Sequence, residues 1–153
     1  MNITRNINIC VFCGSMHGNS GYYSKQAFKL GYNISENKWN LIYGGGNLGL
    51  MGSLAKGYNT LQSHIISVVP RELNYSNILY SKASKKILVD NLFLRKKKML
   101  ELSDFIIVLP GGIGTLDELL DIMANNQLSK KNIKIIILNL KKYWDPLKEL
   151  LYH

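Results

Sequence analysis

The chain has 153 residues, of which 46% are hydrophobic, and its formal net charge at pH 7 is +9. This length allows one globular domain over residues 1–153 with a sizeable core, and it excludes a second domain of ordinary size. Most of the positive charge comes from lysine, because arginine occurs only at Arg5, Arg71 and Arg95. A net positive charge favours the approach of anionic ligands, but it does not indicate a particular binding site.

Residues 1–10 contain no continuous apolar segment, and no stretch approaches the roughly 20 apolar residues that cross a bilayer. We therefore expect a cytoplasmic protein that does not associate with membranes. Cys10 and Cys13 have the spacing of a redox pair, but they lie in an apolar run that predicts a strand. Residues three apart in a strand face opposite sides of a sheet, so we interpret both cysteines as structural thiols.

Apolar runs alternate with helical stretches along the whole chain. In chain order the predicted elements are a strand at 7–13, a helix at 20–37, a strand at 41–43, a helix at 50–58, a strand at 64–69, a loop at 71–84 that reads as mobile, a strand at 86–89, a helix at 91–103, a strand at 105–109, a helix at 115–127, a strand at 134–139 and a short helix from about 143. This order predicts an α/β fold, a Rossmann-like doubly wound parallel sheet with helices on both faces.

Three loops that contain glycine directly follow predicted strands, at Gly14, Gly44–Gly49 and Gly111–Gly114. Parallel strands place their carboxyl ends at one edge of the sheet, and ligands bind there where the strand order reverses. We therefore expect the three loops to line one crevice. Ser15 and His17 of the first loop are candidates for ligand contact, although both are equally compatible with an ordinary surface position.

The third loop joins a strand to a helix and is suited to binding an anion. Gly111, Gly112 and Gly114 have no Cβ atoms that would keep a ligand from the backbone, and Thr115 is predicted to open the helix. The first amides of a helix have no internal acceptor, and the helix dipole favours negative charge beside them. The sequence thus predicts a phosphate or carboxylate site that needs no basic side chain from the loop.

Glu118, one turn into that helix, has two interpretations. In the first, Thr115 and Glu118 form a capping box, in which each side chain bonds the backbone amide of the other residue. In the second, a substrate phosphate occupies the helix amides and the Glu118 carboxylate faces the reacting sugar. The capping pattern is common, so the spacing by itself leaves both interpretations open.

Arg95 lies in a basic helical stretch, four residues before Met99, at the border of an apolar stripe. In a chain dominated by lysine, a planar and permanently charged donor at a half-buried position is a specific choice, so we predict a functional role for Arg95. Lys97 and Lys98 are interpreted as a solvated face, and Lys96 remains ambiguous.

Gly44, Gly46 and Gly49 also match the dinucleotide-binding pattern G-x-G-x-x-G. The match is weak, because it follows the second predicted strand and because Val69-Pro70 stands where an acidic residue is expected at the end of the next strand. No cluster of His, Cys and carboxylates has metal-ligand spacing, and no nucleophile elbow is present.

Taken together, these motifs resemble the LOG (Lonely Guy) family of cytokinin riboside 5′-monophosphate phosphoribohydrolases. The resemblance covers nearly the whole chain and rests on residues 13–15, 44–52, 95–96, 110–118 and Gln127. It implies hydrolysis of the N-glycosidic bond of a nucleoside 5′-monophosphate, AMP or an N6-substituted AMP, to the free base and ribose 5-phosphate. The resemblance implies no metal or other cofactor. It does imply a homodimer with central helices at its interface.

The resemblance also implies roles for residues. Arg95 and Glu118 match the family's catalytic arginine and glutamate. The residues expected to bind the substrate or its phosphate are Ser15, Gly44, Gly45, Gly46, Lys96, Gly111, Gly112, Gly114 and Thr115.

Two features depart from the family pattern. Leu92-Phe93-Leu94 replaces the Met-His-Glu that many members carry before the Arg-Lys pair, which leaves the contacts to the base and the base preference open. The chain also ends at His153, earlier than in the usual member, so it is expected to lack C-terminal elements of the family.

Three other functions compete with hydrolysis. Some family members were once labelled lysine decarboxylases, but no lysine here has the setting of a pyridoxal-phosphate site. A noncatalytic nucleotide-binding or carrier module of the same fold is the main alternative to the enzyme. Nucleic-acid binding comes third, because only the net charge favours it.

Overall fold

The computed structural model describes residues 6–58, 64–74, 77–128 and 132–152. Within these ranges six strands are present: β1 (Asn8–Phe12), β2 (Asn40–Tyr43), β3 (Ile65–Pro70), β4 (Lys85–Val89), β5 (Phe105–Val108) and β6 (Lys134–Ile137). The same ranges contain five α-helices: α1 (Gly21–Glu36), α2 (Gly49–Tyr58), α3 (Leu92–Leu102), α4 (Ile113–Leu128) and α5 (Asp145–Leu151). Short 3₁₀ turns occupy Arg71–Leu73 and Leu140–Lys142.

All six strands of the described residues are parallel and form one sheet in the order β4-β3-β2-β1-β5-β6. The chain builds outward from β1 to β4 and then returns to add β5 and β6 on the other side of β1. The strand order therefore reverses between β1 and β5, which is where a doubly wound sheet forms its ligand crevice. The predicted fold class is confirmed.

The central strand β1 is buried on both faces, because helices cover both sides of the sheet. Ile9 and Val11 pack in the core on the side of α1 and α2, whereas Cys10 and Phe12 pack in the core that contains residues of α3 and α4. Cys13 belongs to the first of these cores, so the two cysteines lie on opposite faces and both are free thiols. Burial raises the pKa of both thiols far above the usual value, as expected for structural cysteines.

The predicted loop at 71–84 is tied to the sheet over part of its length. The Asn47 amide donates to the carbonyl of Ile78 at 2.9 Å, and the Tyr80 amide donates to the carbonyl of Gly45 at 2.9 Å. Leu79 and Tyr80 are buried, so this part of the segment is anchored and the prediction of a mobile loop is wrong for it. Residues 75–76 of the predicted loop lie outside the described residues.

None of the helices in the described ranges is both long and apolar enough to cross a bilayer.

Candidate active site

A cleft of about 910 Å³ opens at the carboxyl ends of β1 and β5, where the strand order reverses. Its walls come from the loop after β1, from Gly44 at the end of β2, and from the loop between β5 and α4. Arg95 of α3 and Glu118 of α4 reach the same cleft. The three glycine loops therefore meet as predicted from their positions after parallel strands.

The loops hold each other through backbone contacts. The Gly14 amide donates to the Pro110 carbonyl at 3.0 Å, and the Gly14 carbonyl accepts from the Leu50 amide at 3.1 Å. Gly49 has φ +59°, and a Cβ on it would lie 2.2 Å from the carbonyl carbon of Ser15. Only glycine fits a positive φ at so close an approach, which explains a glycine at the start of α2.

Helix α4 begins at Ile113, two residues before the predicted start at Thr115. The Gly112 carbonyl accepts from the Leu116 amide at 3.1 Å, so the helical hydrogen bonds start from Gly112. Thr115 lies buried in the first turn and does not open the helix. The amides of this turn lack acceptors within the helix and form the end of α4 at the cleft.

The early start of α4 rules out one of the two interpretations of Glu118. Glu118 lies on the buried face of the helix, where its Oε1 accepts a hydrogen bond of 2.5 Å from Nη2 of Arg95. Because Thr115 is inside the helix and the Glu118 carboxylate binds Arg95, the capping-box interpretation is wrong.

The Arg95–Glu118 pair is largely withdrawn from solvent, since the side chains are 17% and 9% exposed. This confirms the prediction that Arg95 is half-buried. Helix α3 starts at a fixed point, because the side chain of Asn91 accepts from the Leu94 amide at 2.9 Å. Nη1 of Arg95 comes close to Gly44, where a Cβ would lie 3.6 Å away. The guanidinium therefore lies between the end of β2 and α4.

Nε of Arg95 is buried and has no hydrogen-bond partner among the described residues. Most buried donors in proteins are paired, and an unpaired one costs free energy. An acceptor atom of a ligand in the cleft is a natural partner for this unpaired donor.

Desolvation by burial raises the pKa of Glu118 from 4.5 to about 7, while the charge of Arg95 and its hydrogen bond to the carboxylate lower it. Burial outweighs the ion pair. A carboxyl group with this pKa exchanges a proton near neutral pH, which suits general acid–base work and the stabilisation of a developing positive charge.

The raised pKa predicts a pH dependence of stability. Between about pH 4.5 and 7 the folded protein keeps a proton on Glu118 that the unfolded chain releases, so the free energy of unfolding falls as the pH rises through this window. The expected loss for this group is on the order of 3 kcal/mol. Urea unfolding of the wild type should give a lower free energy of unfolding at pH 8 than at pH 5. Glu118→Gln should not show this difference. A ¹³C NMR titration of the carboxyl group with a midpoint near 4.5 would contradict the expectation.

Gly111 is the tightest point of the phosphate-type loop. A Cβ on Gly111 would lie 2.0 Å from Oγ1 of Thr115 and 2.9 Å from the amide nitrogen of Gly14. We expect Gly111→Ala to reduce the free energy of unfolding by roughly 1–3 kcal/mol, because the added methyl group forces the packed loops apart. Gly112→Ala is the matched control, since nothing lies within 4 Å of a Cβ there. Urea unfolding of both variants measures the difference, and equal stabilities would show that the loops are not tightly packed at Gly111.

Eight of the predicted site residues line the cleft: Ser15, Gly44, Arg95, Gly111, Gly112, Gly114, Thr115 and Glu118. His17, the second candidate of the first loop, also lines it. Three predicted residues are not part of the lining: Gly45, Gly46 and Lys96.

The three outlying residues have structural roles. Gly45 has φ +84°, and a Cβ on it would collide with Val69 at 2.7 Å, so it shapes the turn behind the cleft. Gly46 forms an antiparallel bridge with Leu79. Nζ of Lys96 binds both carboxylate oxygens of Asp117, at 3.1 and 3.0 Å, and thereby links α3 to α4.

Sequence reasoning missed several residues of the cleft, among them Tyr23, Met51 and Tyr143. The Tyr143 hydroxyl donates to the Gly111 carbonyl at 2.7 Å, a contact between residues 32 positions apart. No local pattern signals such a contact, because it depends on how the segment after β6 packs against the loop after β5. Within the described ranges, no group of three or more His, Cys, Asp or Glu side chains could hold a metal ion.

Comparisons with known proteins show which family and which fold the chain shares. The sequence model of a family described as possible lysine decarboxylase matches residues 51–153. A cytokinin riboside 5′-monophosphate phosphoribohydrolase of Arabidopsis thaliana is 37% identical over 91% of the chain and 61% of its own length. A probable enzyme of the same name from Oryza sativa subsp. japonica is 37% identical over 91% of the chain and 57% of its own length. A further probable one from Arabidopsis thaliana is 36% identical over 92% of the chain and 70% of its own length.

The chain thus spans about six-tenths of the length of the first two of these relatives. Among solved structures, the molybdenum cofactor carrier protein of Chlamydomonas reinhardtii superposes with a TM-score of 0.73 at 19% identity, over 95% of this chain and 85% of that chain. The molybdenum cofactor binding protein of Rippkaea orientalis gives a TM-score of 0.64 at 20% identity, over 98% of this chain and 99% of that chain. At this level of identity the likeness establishes the fold alone.

Proposed function

The chain belongs to the LOG family, the family whose sequence model is described as possible lysine decarboxylase, and from this premise we propose that it hydrolyses the N-glycosidic bond of a nucleoside 5′-monophosphate. The observation that carries the proposal is the buried Arg95–Glu118 pair in the same cleft as the amides at the start of α4. The amides at the start of α4 suit a phosphate, and the Arg95–Glu118 pair suits the sugar carbon that bears the base.

In this proposal the 5′-phosphate binds at the start of α4, where Gly111, Gly112 and Gly114 leave the backbone accessible and Thr115 lies buried in the first turn. Neither Gly112 nor Gly114 has another atom within 4 Å of its Cβ position, so a ligand can approach both closely. The free amides and the helix dipole stabilise the negative charge.

Breaking the glycosidic bond develops positive charge on the ribose, in a transition state that resembles an oxocarbenium ion. A carboxylate at Glu118 stabilises that charge and accepts a proton from the water that adds to C1′. The base leaves with a proton from the solvent, and Glu118 then releases its proton to the solvent, so that one water is consumed. Arg95 holds the substrate and favours electron density on the leaving base. Its unpaired Nε is one donor available for this purpose.

We propose AMP or an N6-substituted AMP as the substrate. Relatives at 37% identity are named for a cytokinin riboside 5′-monophosphate, an adenine nucleotide of this class, which supports the choice. The products are the free base and ribose 5-phosphate. Ser15 and Gly44 belong to the lining and are proposed to contact the substrate.

Lysine decarboxylation, which the family description names, is not the proposed reaction. Pyridoxal phosphate would need a lysine in the cleft to hold it as a Schiff base. Among the described residues no lysine lines the cleft, and Lys96, which is close in sequence to Arg95, binds Asp117 instead.

We also propose a single-domain homodimer in the cytoplasm. Leu92 and Phe93 of α3 and Leu120 of α4 are exposed apolar side chains on central helices, which supports an interface there. Light scattering after gel filtration measures the mass, and a monomer at micromolar concentration would contradict the dimer.

A panel of nucleoside monophosphates, assayed for free base by chromatography, tests the function. Adenine and ribose 5-phosphate should appear in equal amounts from AMP, and the free base should appear from N6-substituted AMP. The alternative is a noncatalytic nucleotide-binding or carrier module, since one fold can carry either function. Tight nucleotide binding without base release from any member of the panel would favour that alternative and overturn the proposal.

A further inference from the structure

Gly111 is the point where four parts of the chain meet. Its backbone lies against Gly14 of the loop after β1 and against the side chain of Thr115 in α4, and its carbonyl accepts the hydroxyl of Tyr143 at 2.7 Å. The first two contacts involve elements of the cleft itself. The third comes from the segment between β6 and α5, which has no other part in the proposed chemistry.

We propose that Tyr143 is a positioning residue for the phosphate-binding amides, an inference that rests on the proposed function. A peptide group is planar, and in the trans form its carbonyl and its N–H point in opposite directions. No cis peptide bond occurs in the described residues. A hydrogen bond that fixes the direction of the Gly111 carbonyl therefore also fixes the direction of the Gly112 N–H, at the start of α4.

Such a fixed orientation is needed here because glycine has unusual backbone freedom. Gly111 and Gly112 are consecutive, and no side chain of either limits rotation of the peptide between them. Without an external contact, the peptide would lose part of its orientation in the free protein, and binding would have to restore it. The tyrosine hydroxyl supplies that contact in advance.

Tyr143 is itself held in place. Its ring packs edge to face on Trp144 at 4.9 Å and on Tyr23 of α1 at 5.9 Å between centroids. Trp144 is buried, and its amide donates to Oδ1 of Asn139 at 2.8 Å. Tyr143 is 40% exposed, but these two ring contacts hold it beside the loop, so its hydroxyl is kept at the Gly111 carbonyl.

The experiment compares Tyr143→Phe, which removes only the hydroxyl, with Tyr152→Phe, which makes the same change on a side chain that is 83% exposed beyond α5. Calorimetry measures the Kd of ribose 5-phosphate and, separately, of adenosine, which has no phosphate. Loss of one hydrogen bond predicts a rise of about fivefold in the Kd of ribose 5-phosphate for Tyr143→Phe. The Kd of adenosine should stay within twofold, as should both constants for Tyr152→Phe.

Turnover of AMP adds a second readout. We expect Tyr143→Phe to raise KM by a similar factor and to leave kcat within about twofold, because the hydroxyl acts on phosphate binding and not on bond breaking. Thermal melting confirms that the variant is folded, which is expected because the ring and its packing are kept.

Two results would overturn the inference: an unchanged Kd of ribose 5-phosphate in Tyr143→Phe, or an equal loss for ribose 5-phosphate and adenosine. Both are measured without turnover, so they are distinct from failure of the proposed function. If the wild type releases no base but its affinity for ribose 5-phosphate depends on the Tyr143 hydroxyl, then the hydrolase proposal fails and the positioning role stands.

Discussion

Glu118→Gln is expected to reduce kcat for AMP by at least about 10²- to 10³-fold, the range measured when one group that stabilises transition-state charge is removed. Glutamine keeps the shape of the side chain and can still accept from Arg95, but it provides neither the negative charge beside the sugar nor a base for water. KM should change little, because the lost interaction belongs to the transition state. Steady-state kinetics at pH 8, where the wild-type carboxyl group is mainly ionised, give the comparison.

Glu101→Gln is the control for this prediction. Glu101 pairs with Lys98 on the exposed side of α3, and its replacement makes the same chemical change away from the cleft. We expect its kcat to stay within twofold of the wild-type value. Full activity of Glu118→Gln would mean that the Glu118 carboxylate does not act in the reaction, however close it lies to Arg95.

Arg95→Ala is the second large effect, with an expected loss in kcat/KM of about 10²-fold at pH 7. Two causes combine. The guanidinium no longer supports the departing base, and its charge no longer lowers the pKa of Glu118. That pKa therefore rises above about 7, and less of the carboxyl group is ionised at neutral pH.

The effect on the pKa of Glu118 can be separated from the loss of the guanidinium by measuring kcat/KM as a function of pH. In Arg95→Ala the acid limb of kcat/KM should move to higher pH, so part of the lost activity returns near pH 9. Lys97→Ala is the control, since Lys97 is an exposed cation on the same helix. An Arg95→Ala profile with the wild-type midpoint would contradict the electrostatic coupling of the two residues, and wild-type activity would contradict the role of Arg95.

Much of the fold could be predicted because its signals are local. The alternation of apolar runs and helical stretches gave all six strands of the described residues, and most element boundaries agree within one or two residues. The two cysteines were assigned to opposite faces from the period of a strand, and they lie in separate cores. The convergence of the three glycine loops followed from the geometry of parallel strands alone.

Local patterns are insufficient where the partner of a residue is far away in the sequence. Glu118 fits a capping box by spacing, but Arg95, 23 residues earlier, binds its carboxylate. Lys96 is predicted to bind the substrate from its place beside Arg95, and its spacing does not indicate the ion pair that it forms with Asp117 on the neighbouring helix. The polar composition of the segment after β3 predicts a mobile loop, although Gly45 and Asn47 bind part of it. In each case spacing identified a residue able to interact and could not identify its partner.

The sequence by itself determined the parallel α/β architecture, the edge of the sheet where the three glycine loops meet, and the arginine and glutamate that match the family. Each of these follows from periodicity, from strand polarity or from a short motif. Only the tertiary structure decided that α4 begins at Ile113, that Glu118 is buried against Arg95 with its pKa raised to about 7, and that Tyr143 bonds the Gly111 carbonyl. The physical reason is that burial and long-range hydrogen bonds depend on which elements pack together, and that packing is absent from any local stretch of sequence.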